Sequence, residues 1–441
     1  MMVTLFHHSA PVWLNDPNSE YGDFGGWPSA NATEYFVAFA EVVIDGLGAE
    51  VDYWTIFNEP HVYTILTHCA GVWPPGAHYA ARPCVALRRV NRPTSAGTSA
   101  WRGDVSHAGK EFSMLNALVC FSPFGDYARA LSNMADAHKE IYASLHRQFP
   151  NAKVGVAHHV GYVTPRAVTD IPGALYNHFM STFWFVDLIH THCDFIGLNY
   201  YGQEFIDGDG VKIVPGEEYS DAGRGVYPDG LYRLLTDYHR RYPGQQFMLT
   251  ENGVADDLDV IRGSYLIEHL LAIKAAMDQG VKVTGYVFWT ISDNWEWADG
   301  YCPKFGLVAV DRANGLARTK RPSFDLFAAI ATSGKVTAAQ RDAAWAKVQQ
   351  AAAEGVQRPF CRDLDAGGMT GAFGIDNPMP RAVVTKDWRY GFYETPLLAD
   401  AVGGGMQAAW NRTWVHAQPY WQWVQRVLKG YLAAHKAAAE L

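Results

Sequence analysis

The chain has 441 residues, of which 49% are hydrophobic and 14% aromatic, so it can fill a barrel of about 250 residues and an appendage. The net charge is −9 and the basic residues are not clustered, which argues against a nucleic-acid-binding protein. No apolar run reaches the length of about 18 residues that a membrane-spanning helix needs.

Six short apolar runs are predicted to be strands: residues 3–6, 51–57, 154–157, 195–198, 247–249 and 283–289. Helical patterns, such as those at 34–47 and 265–277, separate them. This alternation indicates βαβ units and therefore an α/β fold, the (β/α)8 TIM barrel. Eight units close such a barrel. The chain is therefore predicted to contain strands three to eight of it and to lack the first two βα units.

Two regions depart from this alternation of strands and helices. Residues 78–122 show neither helical nor strand periodicity and are predicted to be an irregular insertion. The barrel is expected to end near residue 331, so that 332–441 forms a C-terminal extension. There Thr337 and Gln340 form a capping box for a helix that Gly355 ends. The aromatic and basic segment 406–441 suits either a membrane interface or docking on the barrel.

The six cysteines form no CxxC pair, and we expect them to be reduced thiols in a protein that is not secreted. The glycosylation patterns at Asn31 and Asn411 are accordingly interpreted as chance matches.

Two glutamates, Glu59 and Glu251, follow predicted strands directly. Barrels of this kind build their active sites at the carboxyl ends of the strands. Two carboxyl groups at that edge could cleave a glycosidic bond, one as the acid and the other as the nucleophile. For either glutamate alone, a structural ion pair would be the more frequent role.

The motifs at 58–60, 250–253 and 288–297 resemble those of family-1 retaining glycoside hydrolases, and the resemblance covers residues 1–330 approximately. Segments 6–9, 155–159, 227–233 and 265–271 are similar to the plant galactolipid galactosyltransferases within that family, as are the tail segments 333–337 and 358–360. The resemblance implies galactosyl transfer from monogalactosyldiacylglycerol to another galactolipid. Such an enzyme releases diacylglycerol and makes oligogalactolipids at the chloroplast outer envelope membrane, in the lipid remodelling of freezing tolerance.

The same resemblance implies roles for nine residues. Glu251 would be the nucleophile and Glu59 the general acid and base. Seven others are expected to bind the substrate or orient the nucleophile: His7, Asn58, Asn199, Tyr201, Trp289, Glu296 and Trp297. One departure from the family is that His8 stands at a position where Trp is common. The galactosyltransferases also have His there.

No cofactor or metal is expected. His158 and His159 are adjacent on a strand and should point to opposite faces, while His190 and His192 have no further ligand at a suitable spacing. No glycine-rich phosphate loop precedes a helix, so the donor should be a preformed glycoside and not a nucleotide sugar.

Two other interpretations stay open at this stage. A β-glucosidase or β-galactosidase would hydrolyse O-glycosides, and lipid would not affect its activity. The second interpretation is an inactive fragment. Compared with the galactosyltransferases, the chain is expected to lack the membrane anchor, the first two βα units and an arginine that contacts the nucleophile. Met1 matches a position inside the sequence of those relatives.

Overall fold

A computed structural model describes residues 1–15, 25–69, 73, 125–207, 210–361, 378–384 and 386–389. The predicted irregular insertion at 78–122 and the aromatic segment at 406–441 lie outside the described residues. Met1–Tyr390 forms one unit. Among the described residues, no helix combines the length and the apolar character needed to cross a bilayer.

Seven strands make the main sheet: β1 (Met2–Phe6), β2 (Tyr53–Asn58), β3 (Lys153–Pro165), β4 (Phe195–Asp207), β5 (Gly210–Lys212), β6 (Phe247–Asn252) and β7 (Val283–Phe288). They pair in the order β1-β2-β3-β4-β6-β7, and every pair in that series is parallel. The short β5 pairs antiparallel with the far end of β4. The six predicted strands are therefore confirmed, and β3 and β4 extend well beyond their predicted ends.

Eight helices lie between these strands along the described chain, as βαβ units require, and two more follow β7. They are α1 (Val12–Asn15), α2 (Ala32–Leu47), α3 (Pro60–Thr64), α4 (Asp126–Gln148), α5 (Ile171–His178), α6 (Trp184–Ile189), α7 (Pro228–Arg241), α8 (Arg262–Asp278), α9 (Pro322–Ser333) and α10 (Ala338–Ala353). The predicted helices at 34–47 and 265–277 correspond to α2 and α8. The predicted capping box is also present, since the Thr337 hydroxyl accepts a bond from the Gln340 N–H at 3.2 Å.

The central strands are buried on both faces, as expected for a parallel sheet between helices. In β2, Trp54, Ile56 and Phe57 are fully buried. Within the described residues, β1 and β7 each pair with one neighbour in this sheet. Val287 of β7 is accordingly 46% exposed. The sheet is thus six parallel strands of a (β/α)8 barrel.

Two antiparallel hairpins were not predicted from the sequence. One joins β8 (Val308–Asp311) to β9 (Ala317–Lys320), and the other joins β10 (Gln357–Phe360) to β11 (Met379–Ala382). Their strands are only four residues long, too short for a clear alternation of polar and apolar side chains.

The strand β10 is attached to the barrel by a buried ion cluster around Arg358. Its guanidinium donates to Glu218 Oε1 and Asp221 Oδ1, each at 2.8 Å, and its Nε lies 3.5 Å from Asp256 Oδ1. The side chains of Arg358 and these three acidic residues are at most 2% exposed. The acidic residues follow β4 and β6, the strands that also carry Tyr201 and Glu251, so β10 binds the loops that follow two strands with candidate site residues.

The expectation that all six cysteines are reduced is wrong. Cys302, in the loop after β7, forms a disulfide with Cys361 at the end of β10. Cys69 is also disulfide-bonded, while Cys193 is a buried free thiol. The first pair is separated by 59 residues, and only the docking of β10 brings its members together. Spacing along the chain could not reveal it.

Replacing Arg358 with Met should lower the free energy of unfolding by about 3–5 kcal/mol, because three buried carboxyl groups lose their counter-charge. Urea unfolding followed by circular dichroism measures the change. The matched control is Arg129→Met, which breaks a pair whose arginine side chain is 53% exposed and should cost less than about 1 kcal/mol. Equal losses in the two variants would contradict this account of the cluster.

Candidate active site

The register of the parallel strands brings the predicted site residues to one edge of the sheet. Asn58 ends β2 and pairs with Ala157 of β3. On β4, Asn199 pairs with His159 on one side and with Glu251 of β6 on the other. The carboxyl ends of parallel strands share an edge, so these residues from separate segments become neighbours.

Glu59 occupies an unusual backbone position between β2 and α3. Its φ is 46° and its ψ is 53°, a left-handed conformation that costs a residue with a side chain about 1–3 kcal/mol. Two bonds hold it there: its N–H donates to Ala157 O at 2.7 Å, and its carbonyl accepts from the Tyr63 N–H at 3.1 Å. His8 and Trp297 also have positive φ. Such strain is concentrated at functional sites because it directs a side chain where a regular turn would not.

Asn199 lies between the two glutamates. Its Nδ2 donates to Glu59 Oε1 and to Asn58 Oδ1, both at 3.0 Å, and its backbone pairs with Glu251 of β6. Thr250 fixes the orientation of the amide by donating to Asn199 Oδ1 at 2.6 Å. Both glutamates are therefore next to Asn199, at the same edge of the sheet.

Tyr201 binds the second carboxyl group directly. Its hydroxyl donates to Glu251 Oε2 at 2.6 Å. The adjacent Tyr200 points to the opposite face of β4, where its hydroxyl donates to Tyr227 O at 2.6 Å. The bond from Tyr201 stabilises the ionised form of Glu251, as a nucleophile requires.

The other predicted residues surround this pair. The His7 Nε2 atom lies 3.0 Å from Asn58 Nδ2. The indole N–H of Trp289 donates to Glu296 Oε1 at 3.0 Å. The ring centroids of His7 and Trp297 are 5.7 Å apart. All nine predicted residues thus lie at this edge of the sheet, joined by hydrogen bonds, ring contacts and the pairing of Asn199 with Glu251.

Several residues of this site were not assigned roles from the sequence. The ring of His8 packs edge-on against Trp297, with centroids 5.0 Å apart, and against Trp73 at 4.7 Å. Thr250 and His159 were also not predicted; His159 stacks on Tyr201 with centroids 6.4 Å apart. In the sequence, His8 could have been found because it is adjacent to His7, a predicted site residue. His159 could have been found because adjacent residues of a strand face opposite sides, so that one of His158 and His159 faces the site.

Burial and charge repulsion set the protonation of the two glutamates. Burial raises the pKa of Glu59, and the bond from Asn199 opposes this rise. Burial, and then the charge of Glu59, raise the pKa of Glu251 well above its usual range, against the bond from Tyr201. Because two close carboxylates repel each other, the site favours a state in which only one of the two is ionised. One acid beside one carboxylate is the state that glycosidic cleavage needs.

A family model described as Glycosyl hydrolase family 1 matches residues 1–336. The chain belongs to glycosyl hydrolase family 1. The β-glucosidase structure from Pyrococcus furiosus is similar to this family-1 chain, with a TM-score of 0.60 and 26% identity over 78% of this chain and 68% of that one.

Two plant members of the family are more similar in sequence. The chain is 45% identical to "Galactolipid galactosyltransferase SFR2, chloroplastic" of Arabidopsis thaliana, over 91% of this chain and 58% of that protein. It is 44% identical to "Beta-glucosidase-like SFR2, chloroplastic" of rice, Oryza sativa, over 91% of this chain and 56% of that protein. The chain therefore spans less than two thirds of the length of either plant relative.

The two histidine pairs that were considered as metal ligands contact neighbouring groups of the protein. His158 Nε2 lies 2.8 Å from Ser181 O, on the face of β3 opposite His159. His192 offers its backbone carbonyl to His138 Nε2 at 2.8 Å, and the ring of His190 packs on Tyr242. Among the residues that the structure describes, no group of three histidine, cysteine or acidic side chains could hold a metal ion.

Replacing Tyr201 with Phe should lower the rate by about tenfold to a hundredfold at neutral pH, the effect of losing a hydrogen bond to a charged group. Without the phenol, the pKa of Glu251 rises further. The acid limb of the rate profile, where Glu251 must lose its proton, should therefore move to higher pH. Rates on an aryl galactoside across pH measure both effects.

The matched control for Tyr201 is the neighbouring Tyr200, whose hydroxyl points away from the site. Tyr200→Phe should reduce stability without moving the acid limb. If the two variants shift that limb equally, Tyr201 does not control the ionisation of Glu251.

Proposed function

We propose that this chain is a retaining galactosyltransferase that moves galactose from monogalactosyldiacylglycerol to another galactolipid. The observation that carries the proposal is the position of Glu59 and Glu251 on either side of Asn199, whose amide donates to Glu59 and whose backbone pairs with Glu251. The identity of 45% to a protein named as a galactolipid galactosyltransferase supports the choice of substrate.

In the first step, the Glu251 carboxylate attacks C1 of the bound galactose. Glu59 gives its proton to the glycerol oxygen, the bond between that oxygen and C1 breaks, and diacylglycerol leaves. The product is a galactosyl ester of Glu251. Asn58 lies beside Glu59 and is suited to bind the sugar 2-hydroxyl, a contact that strengthens in the transition state.

In the second step, Glu59 acts as a base. It takes a proton from a hydroxyl of the acceptor, whose oxygen bonds to C1 while the ester bond to Glu251 breaks. Two inversions at C1 leave the anomeric configuration unchanged. Transfer exceeds hydrolysis when the acceptor hydroxyl is held near C1, because its effective concentration then exceeds that of water.

The other predicted site residues suit the binding of a sugar ring. In this proposal the aromatic faces of Trp289 and Trp297 contact the pyranose ring, and His7 and Glu296 bind its hydroxyls. The contacts of Trp289 with Glu296 and of His7 with Trp297 support a common site. Burial raises the pKa of Glu296 to about 7. The partners that we propose are galactolipids at a membrane surface. The location that we propose is the chloroplast outer envelope, and the plant relatives are named chloroplastic.

The test is to incubate the 441-residue chain with monogalactosyldiacylglycerol in detergent micelles and separate the lipids. We expect digalactosyl and higher galactolipids together with diacylglycerol, and neither product from the Glu251→Gln variant. Free galactose without oligogalactolipid would instead identify a β-galactosidase. No turnover of lipid or of an aryl galactoside would show that the chain is inactive.

A further inference from the structure

Two strands rise above the level of the catalytic residues. β3 and β4 are both 13 residues long, and their pairing continues from Tyr162↔Gln203 to Pro165↔Ile206. The neighbouring β2 and β6 end at Asn58 and Asn252. Four further residue pairs amount to about 13 Å of extra strand. This extension stands between the strands that lead to Glu59 and Glu251.

A bulge in β4 turns a charged residue of the extension toward the site. Between Val160↔Tyr200 and Tyr162↔Gln203, β3 advances by two residues and β4 by three. The extra residue reverses the alternation of side chains, so Glu204 lies on the same face as Tyr201. A Cβ atom on Gly161 would lie 3.3 Å from Glu204 Cδ, which places this carboxylate directly over Gly161.

The loop after β5 presents Arg224 to this carboxylate. The Gln203 N–H donates to Gly225 O at 2.8 Å, and the Gly225 N–H donates back to Gln203 O at 3.2 Å. This contact requires Gly202, because a Cβ there would lie 1.8 Å from Gly225 O. The Arg224 guanidinium forms an ion pair with Glu204, and the side chain of Arg224 remains 31% exposed. A ligand can therefore reach it.

Arg224, through its ion pair with Glu204, lies over Gly161 of β3, two residues beyond His159 on the same face. β3 pairs with β2, the strand that leads to Glu59. Burial raises the pKa of Glu59, and the charge of Arg224 acts in the opposite direction. Burial lowers the pKa of His61 and His159, and Arg224 lowers both further. The charge that acts most on Glu251, by contrast, is that of Glu59. The guanidinium is thus close to the general acid and base.

We propose that Arg224 and Glu204 form the subsite for the acceptor sugar, binding hydroxyl groups of the galactose that receives the transferred residue. The proposal rests on the function proposed above. An arginine paired with a carboxylate has little net charge, which suits a neutral sugar better than a phosphate. The guanidinium can donate to adjacent hydroxyls while the carboxylate accepts from one.

The subsite would act in the second step. Glu59 removes the proton from the acceptor hydroxyl as that oxygen bonds to C1, and the electrons of the broken ester bond return to Glu251. Binding of the acceptor ring to Arg224 holds this hydroxyl near C1 and gives it an advantage over water.

The experiment isolates the second step. 2-Deoxy-2-fluorogalactosyl fluoride forms a slowly hydrolysed ester at Glu251; after excess reagent is removed, the return of activity is measured with β-galactosylglycerol or with methanol as the acceptor. Arg224→Gln should lower reactivation by galactosylglycerol relative to methanol by about tenfold or more. Methanol has no ring for the subsite to bind. Arg224→Lys should lose most of this preference too, because it lacks the fork of donors.

Arg166→Gln is the matched control. Arg166 pairs with Asp207 at the far tip of the same two strands, where its side chain is 48% exposed. This variant should keep the wild-type preference for galactosylglycerol. If Arg224→Gln slows both acceptors equally, or Arg166→Gln has the same effect, the subsite is not where we place it.

A second measurement separates this proposal from the function on which it rests. A wild-type chain that forms no ester would count against the proposed function. In that case the subsite is tested by titrating β-galactosylglycerol into the protein and measuring its dissociation constant. The dissociation constant should rise by about tenfold in Arg224→Gln and not in Arg166→Gln. Unchanged binding in both variants would overturn the proposal.

Discussion

Replacing Glu251 with Gln is expected to lower the rate of glycosidic cleavage by about 10⁴-fold or more, as loss of a covalent nucleophile does in other enzymes. Glutamine is similar in size and can still accept the bond from Tyr201, so the loss would report on the missing carboxylate. Initial rates with an aryl galactoside and with monogalactosyldiacylglycerol measure it. Activity above a few per cent of wild type would remove the assignment of Glu251.

Two further experiments sharpen this test. Glu140→Gln is the control, because Glu140 is exposed on α4; it should behave as wild type. In Glu251→Ala, azide can enter the space of the lost side chain and attack C1 from that side. The single inversion should give the α-galactosyl azide. A β-galactosyl azide would mean that Glu251 lies on the other side of the sugar.

Replacing Glu59 with Gln should slow cleavage in proportion to the need of the leaving group for a proton. For diacylglycerol, whose alkoxide leaves poorly, we expect a loss of about 10²–10⁴-fold, the usual contribution of general acid catalysis. A dinitrophenol leaves without a proton, so formation of the galactosyl ester from a dinitrophenyl galactoside should be nearly unaffected. Pre-steady-state bursts with the two kinds of substrate measure the difference.

The pH dependence and product stereochemistry give independent checks on Glu59. The limb of the rate profile that reports the protonated acid should disappear in Glu59→Gln. In Glu59→Ala, azide should capture the galactosyl ester after the first inversion and give the β-galactosyl azide. An equal loss for every leaving group would argue that Glu59 has a structural role instead of an acid role.

The sequence predicted the features that depend on local pattern. The six apolar runs became the six parallel strands because continuous apolar runs suit strands that are covered on both faces, as the four central strands are. Glu59 and Glu251 were singled out by their positions after predicted strands, and resemblance then supplied the seven other site residues, from His7 to Trp297. Their catalytic roles stay predictions until the variants above are measured.

Long-range features escaped prediction for physical reasons. The left-handed conformation of Glu59 depends on its bond to Ala157, a residue of another strand. The bulge that turns Glu204 toward the site is a difference in residue count between two strands, which neither strand shows alone. The disulfide between Cys302 and Cys361 depends on the docking of β10. Each arises from a partner that is distant in sequence.

The buried position of Arg358 has a practical consequence for anyone who shortens this protein. The family match ends at residue 336, which makes that residue an inviting place for a stop codon. A product cut there would retain Glu218, Asp221 and Asp256 in its interior without the cation that neutralises them. We expect it to be recovered in inclusion bodies, whereas a product that extends through Arg389 should stay in the supernatant after lysis.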